Sequence, residues 1–321
     1  MSGFTTGSND HLIRSNLWSA RLKEVLEDEL MGTKYVDMIT DFPDGDTINI
    51  PSIGQAEVND YTEDSSVVYN AMDTGNFTFS ITDYKSSATY ITEKMKQDSF
   101  YMDRLVASFV PKQARALAKS MEIDILKQPT PAGTAGQTTA NTNTINGAEH
   151  RWIGSGTNEV IALEDFAKAR YALDMANVPM TNLVAIVHPS VEFELSTLAN
   201  LVNVSNNPKW EGIVRDGMSA AGMKFSMNVY GFDVYTSQNL HVNTASEQIG
   251  TPTAAAGVNN LFFSAASDVL PIVGNVRQAP KVDSEFNKDR QREEYVTTCR
   301  YGFKFFRPEN MCIVVTDTDQ V

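Results

Sequence analysis

The period of the hydrophobic positions changes along the chain, and each change marks a new element. After a polar first ten residues, Trp18, Leu22, Val25, Leu26 and Leu30 recur at three- and four-residue spacing with charges between them. That spacing predicts an amphipathic helix, which Gly32 ends. From residue 44 to residue 91 the period falls to two. Thr47-Ile48-Asn49-Ile50-Pro51 and Phe77-Thr78-Phe79-Ser80-Ile81-Thr82 predict extended strands, with Val67-Val68-Tyr69 between them, and the polar stretch joining them predicts a projecting β-hairpin. Asp98 or Ser99 caps the next segment, where Met102, Leu105, Val106, Phe109, Leu117, Met121 and Ile125 mark one face of a helix over 98–127. About thirty residues at 1.5 Å each span on the order of 45 Å. Pro111 is expected to kink or divide this helix, because it lacks a backbone donor and clashes with the preceding turn.

Residues 129–156 are rich in Thr, Asn, Gly and Ala and predict a surface loop with one short strand. Leu163, Phe166, Ala169, Leu173 and Ala176 then form a helical stripe that stops at Asn177-Val178-Pro179. Leu183–Val187 reads as a buried strand, and Pro189 opens a second helix with Val191, Leu195, Leu198 and Val202 inward. Phe225, Met227 and Val229 alternate into Gly231, and Phe232 to Tyr235 lead out, which predicts a hairpin. A second Ala/Thr/Gly loop covers 243–260, before Leu261-Phe262-Phe263. The last residues return to strands at 295–306 and 311–316, separated by a turn at Arg307-Pro308-Glu309-Asn310.

Composition narrows the function classes. Twenty-six basic and forty acidic side chains leave a net charge of −14, so the surface repels phosphate and a nucleic-acid-gripping protein is disfavoured. With 42% hydrophobic and 21% charged residues the chain is globular, and at 321 residues it has ample core. No apolar run reaches the roughly 18 residues of a membrane span, and the polar start lacks the pattern of a secretory signal. The expectation is a soluble intracellular product without membrane contact.

The search for chemistry returns little. There is no Gly-Lys-Ser/Thr phosphate loop, no Gly-x-Ser-x-Gly elbow and no pair of histidines four apart; Gly154-Ser155-Gly156 reads as a turn. His188 follows a buried strand, where α/β folds often place catalytic groups, but a cap or loop role is the stronger reading. Cys299 and Cys312 offer a redox pair, yet they lie in apparent strands, where free cysteine acts as a small core hydrophobe. Asp41, Asp44 and Asp46 lack the closing glutamate of a calcium loop and read as turn chemistry. Lys281, Lys288, Arg290 and Arg292 form a basic cluster, but Asp283, Glu285, Asp289, Glu293 and Glu294 interleave with it, which predicts a salt-bridged solvated or intersubunit face. No catalytic, cofactor-binding or metal residue is assigned. The remaining features are extensions, and extensions carrying Trp18, Leu22, Phe77, Phe79 and Ile81 suggest a subunit that buries its arms on neighbours. Those five residues, with Lys288, Arg290 and Arg292, are the candidate intersubunit contacts.

In this order of segments the chain resembles the major capsid proteins of tailed bacteriophages with the Hong Kong 97-type fold. The resemblance rests on Asp46-Thr47-Ile48-Asn49-Ile50-Pro51, Thr82-Asp83-Tyr84-Lys85, Ala116-Leu117-Ala118-Lys119-Ser120-Met121-Glu122-Ile123-Asp124 and Leu173-Asp174 with Val178-Pro179. It continues in Ala185-Ile186-Val187-His188-Pro189, Tyr230-Gly231-Phe232-Asp233-Val234-Tyr235-Thr236-Ser237 and Tyr301-Gly302-Phe303-Lys304. It implies an α+β fold with an amino-terminal arm (1–42), an extended β-hairpin loop (43–92) and a peripheral domain (93–162) with a spine helix (98–127). An axial domain (163–273) and carboxy-terminal strands completing the peripheral domain (274–321) would follow. The implied function is self-assembly into hexamers and pentamers of an icosahedral head around double-stranded DNA, which is touched only non-specifically. The implied partners are further copies of the chain, scaffolding, portal and decoration proteins, with assembly in the host bacterial cytoplasm and residence in the virion. Residues ahead of position 98 are all taken up by arm and loop, so the expectation is a mature chain or a separate scaffolding protein. No cross-link partner is carried across. The alternatives are the shell of an encapsulin-type nanocompartment and, from another class, an α/β enzyme using His188 or Cys299.

Overall fold

The computed structural model describes residues 31–40, 47–53, 58–66, 74–98, 102–129, 143–197, 225–243, 247 and 257–317. A 3-10 turn at Gly32–Tyr35 leads into β1 (Val36–Met38), followed by β2 (Thr47–Ile53), β3 (Thr74–Ser80) and β4 (Asp83–Thr92). Two helices, α1 (Glu93–Asp98) and α2 (Met102–Lys127), precede the short strands β5 (Thr144–Ile145), β6 (Ala148–Glu149) and β7 (Arg151–Ile153). Then come α3 (Leu163–Met175), β8 (Leu183–Val187), α4 (Pro189–Thr197), β9 (Phe225–Val229), β10 (Phe232–Thr236) and β11 (Val258–Ser264). The chain closes with β12 (Ile272–Asn287), β13 (Arg292–Phe305), a 3-10 turn at Pro308–Asn310 and β14 (Cys312–Thr316).

Most strands fall into two sheets. The six-stranded sheet runs β7-β14-β11-β8-β10-β9, and the four-stranded sheet runs β1-β12-β13-β4. Every residue of β8, β11 and β14 is buried. Successive side chains of a strand point to opposite faces, so a strand covered on both sides reads as a continuous apolar run rather than an alternation. Leu183, Ala185 and Val187 accordingly join Phe262, Cys312 and Val314 in a core against α3 and α4, while Val184 and Ile186 join Leu261, Phe263, Ile313 and Val315 on the other face. Phe166 of α3 meets Phe262 and Phe232 edge-on, at ring separations of 5.0 and 6.3 Å.

One helix serves both sheets. Leu117, Met121 and Ile125 of α2 pack on Cys299, Tyr301 and Phe303 of β13, whereas the neighbouring Leu126 packs into the second face of the six-stranded sheet beside Met31 and Tyr35. Adjacent helical residues point about 100° apart, which lets consecutive positions enter different cores.

Several sequence expectations change. Pro111 does not divide α2, which continues for 26 residues to Lys127, and a further short helix, α1, precedes it in a stretch to which the sequence reading assigns no element. The loop expected over 129–156 contains three short strands. Its missed signal is Asn146-Gly147, whose φ values of 50° and 83° build the tight turn between β5 and β6. β12 is a strand that the sequence reading does not predict, although its outer half, Lys281-Val282-Asp283-Ser284-Glu285-Phe286, alternates charged and uncharged residues at the period of a strand. The residue ranges expected as units also do not follow the sheets. β4, expected in the hairpin, pairs with β13, and β14, expected with β12 and β13, pairs with β11 and β7 in the six-stranded sheet. Non-local pairing of this kind is set by tertiary contacts and leaves no local signal. The helix expected around residues 18–30 and the carboxylates Asp41, Asp44 and Asp46 lie outside the described residues.

Candidate functional site

Three regions carry polar or aromatic groups beyond what a packed core requires. The first is the junction where residue 31 meets α2. Glu122 is fully buried on α2, and its carboxylate accepts the Met31 N–H at 3.1 Å and the Gly32 N–H at 2.6 Å. Burial pushes its pKa up, while the two N–H groups and the Arg115 charge oppose that shift. A Cβ at position 32 would sit 2.6 Å from Glu122 Oε2, so any larger residue there has to displace the carboxylate from the two N–H groups that it accepts. The carboxylate thereby clamps the polypeptide arriving from the amino-terminal side onto the helix that joins both sheets. Below it, Asp124 accepts the Tyr301 hydroxyl at 2.6 Å and pairs with Lys85 at 3.0 Å, tying α2 to β13 and β4.

The second region is the four-stranded sheet with the β2–β3 ladder, in which Thr47 pairs with Ser80 and Ile53 with Thr74. At its root Phe79 and Ile81 are buried against Val273 of the same chain, and half-buried Phe77 meets Phe306 edge-on at 4.8 Å. Lys304 closes this root, its ammonium donating to the Thr78 carbonyl at 2.6 Å and lying over the Phe77 ring. The candidate contacts Phe79 and Ile81 are thus used inside the subunit, whereas Trp18 and Leu22 lie outside the described residues.

At the far end, β12 and β13 turn at residues 288–291, where Lys288 and Arg290 are exposed. Arg292 pairs with Glu294 at 2.6 Å and stacks on Tyr90 at 4.4 Å. Lys96 of α1 pairs with Glu293 at 2.6 Å, and Tyr295 donates its hydroxyl to the same carboxylate at 2.8 Å. These contacts hold Glu293 and Glu294 below the usual carboxylate range. Lys281 pairs with Asp283 in the same way, so Lys281 and Arg292 of the expected basic cluster form salt bridges with its interleaved acids. Tyr84 and Tyr90 project from β4 at 63% and 59% exposure. Sequence reasoning missed both, although the alternation in Asp83–Thr92 was available as a signal. Beyond Gly274, where β1 stops, the outer edge of β12 carries Pro280, two register shifts and the charges Lys281, Asp283 and Glu285. Each of these discourages a further strand from adding to an edge.

The third region lies at the β7 end of the six-stranded sheet. Arg151 is fully buried and donates from Nη2 to Asn243 Oδ1 at 3.1 Å and to the Glu247 carbonyl at 2.6 Å. Burial pushes this guanidinium down to about 10, with the Glu247 charge opposing. His241 Nε2 and the Glu247 carboxylate stand 2.8 Å apart.

The residues weighed for catalysis are dispersed. The His188 carbonyl accepts the Val191 N–H, and its Nδ1 lies 2.9 Å from Ser190 Oγ, which is the geometry of a helix cap. Cys299 and Cys312 are free, fully buried and in different sheets, with burial pushing both thiols up. Among the described residues no cluster of three or more His, Cys, Asp or Glu is arranged to hold a metal, and no helix is long and apolar enough to cross a membrane.

Known proteins account for this architecture. Residues 76–314 match the model of a family described as phage capsid protein. No curated protein matches the sequence. Among solved structures, the chain is similar to a protein of Mycobacterium phage Che8, at 18% identity and a TM-score of 0.67, over 95% of this chain and 97% of that one. It is also similar to the capsid of cyanophage P-SCSP1u, at 17% identity and a TM-score of 0.68, over 98% and 95% of the two chains. For the capsid of cyanophage Pam1 the values are 13%, 0.69, and 99% of each chain. The likeness to these structures is one of fold and covers nearly the whole of each chain, while the family match runs from within β3 into β14. The chain therefore belongs to the phage capsid protein family and has the α+β Hong Kong 97-type capsid fold.

Proposed function

We propose that this chain is the major subunit of an icosahedral phage head, assembling as hexamers and pentamers around packaged double-stranded DNA. The observation that carries the reading is the family match over residues 76–314, joined to a fold shared along nearly the full length of the phage capsid chains compared. The same match favours a viral head over a nanocompartment shell.

The six-stranded sheet serves as the rigid axial body, and the four-stranded sheet with α2 and the β2–β3 ladder as the peripheral body reaching to neighbours. The described part of the ladder supports this role, since among the described residues β2 and β3 pair only with each other. Tyr84, Tyr90, Lys288 and Arg290 supply the exposed contact surface, and Trp18 and Leu22 the arm that ties capsomers together. Each contact is weak, and closure of the shell makes them act together. A net charge of −14 suits a container that holds DNA without adhering to it. The role is structural rather than enzymatic, and scaffolding and portal proteins direct assembly in the bacterial cytoplasm, with decoration proteins as further partners.

The test is to express the chain with a neighbouring scaffolding gene and image the sedimenting fraction by electron microscopy. Closed shells or capsomer rings are the expected result; a monodisperse monomer under those conditions overturns the proposal.

A further inference from the structure

The exposed face of α2 is at odds with the anionic chain that carries it. From Lys112 to Lys127 the exposed residues of this helix are Lys112, Ala116, Lys119, Ile123 and Lys127, at three- and four-residue spacing. At 100° per residue they fall within about 80° of one another and form one strip about 22 Å long. No acid lies on it. The two carboxylates of this half of the helix are turned elsewhere: Glu122 is buried in the clamp on Met31 and Gly32, and half-buried Asp124 is taken up by Lys85 and Tyr301. The three lysines of the strip form no ion pair among the described residues. Lys281 and Arg292 of the β12–β13 ribbon, by contrast, each pair with a nearby acid.

Three like charges on one rigid helix face repel one another and gain from an anionic partner. The chemistry of the strip selects the anion. Lysine offers a compact, hydrated point charge and not the planar fork that fixes a carboxylate bidentately. Between the lysines stand only Ala116 and Ile123, without the aromatic or arginine anchor on which a specific protein interface is built. A partner held by charge alone is a regular array of phosphates, and over 22 Å of its axis duplex DNA presents about a dozen of them. Resting on the assembly reading above, which encloses such a duplex, we infer that the Lys112–Lys119–Lys127 strip is the surface on which the subunit meets the DNA backbone, and that it lines the lumen. Lys85 of β4 points to α2, so the alternate residues Tyr84 and Tyr90 lie on the opposite face of the sheet, turned away from the DNA. Three phosphate contacts per copy are weak and carry no sequence information, so the duplex is kept near the wall without being fixed to it.

The probe is duplex DNA of random sequence, titrated with the full chain by fluorescence anisotropy at about 50 and about 200 mM KCl. With three phosphates neutralised, affinity falls about fortyfold over that range. The triple variant Lys112→Gln, Lys119→Gln, Lys127→Gln removes that dependence and keeps the thermal midpoint of the wild type, because all three side chains are exposed. Each single change lowers the salt slope by about one. Lys281→Gln with Lys288→Gln, on the ribbon, leaves the slope as it is. In electron micrographs of DNA-filled shells the strip faces the lumen and the DNA density. A triple variant with the wild-type salt slope, a strip seated on an acidic segment of another protein, or a strip on the outside of the shell would each overturn the inference and leave the assembly reading standing. A chain that forms no shell overturns the assembly reading instead, and the titration then decides by itself whether the strip binds a phosphate backbone.

Discussion

The two sheets solve different problems with the same chain. In the six-stranded sheet β8, β11 and β14 are buried throughout, so the subunit itself covers both faces. In the four-stranded sheet α2 covers one face, and β4 alternates half-buried and exposed residues while the outer half of β12 is exposed almost throughout. The first arrangement secures a rigid body. The second leaves aromatic and charged side chains in solvent, which is the kind of surface that association buries. Its outer edge is nevertheless blunted by Pro280, register shifts and charges, so contact through faces is favoured over strand addition.

The comparison breaks most directly at Phe262, buried between the rings of Phe166 and Phe232. Phe262→Ala should cost about 3–5 kcal/mol in denaturant unfolding, and with it shell yield. A loss below about 1 kcal/mol would mean that the six-stranded sheet is not the stable body.

Next in size is the junction. Gly32→Ala forces a Cβ into the Glu122 carboxylate and should cost about 1–3 kcal/mol, measured by thermal unfolding. Glu122→Gln separates the charge from the shape. Because the folded pKa of Glu122 is raised, this group's contribution to stability falls as pH rises from the ordinary carboxylate value through the raised one. Removing the charge should flatten that part of the stability–pH curve; an unchanged slope would assign it elsewhere.

The Lys96–Glu293 pair at the tip of the β12–β13 ribbon should matter less. Glu293 has a lowered folded pKa, so its contribution is present above the ordinary carboxylate value and lost as pH falls through the lowered one. Glu293→Gln should cost about 0.2–1 kcal/mol near neutral pH and nothing below that window, as followed by unfolding at several pH values.

Smallest for the isolated chain is Tyr84→Ser, expected to change stability by less than about 0.5 kcal/mol because the ring is exposed. Its effect should appear in assembly, as a lower fraction of chain in sedimenting particles. Equal loss of folding and assembly would erase the distinction between the two sheets.

The site was only partly legible before the structure. Lys281, Arg292 and their interleaved acids showed their pairing through charge order alone. Phe79 and Ile81 stood out equally well as apolar residues on a hairpin, but periodicity cannot say whether such a residue packs on its own chain or on another, and Val273 took them. Glu122 stayed hidden because a carboxylate beside Met121 reads as the solvated margin of a helix until two backbone N–H groups from ninety residues away are brought to it.

What the sequence determined by itself was local: β8 as a buried strand, α3 as a helix with its inner face, α4 as a helix with Val191 and Leu195 inward (Leu198 and Val202 lie outside the described residues), the Tyr230-Gly231 hairpin turn, and both cysteines as core. Each follows from side-chain period or from backbone chemistry within a few residues. Only the tertiary structure decided that β14 leaves its neighbours for the other sheet, that α2 divides its side chains between two cores, and that Arg151 is buried with donors to spare. Those outcomes depend on contacts between residues far apart in the chain, whose free energies exist only once the chain has closed on itself.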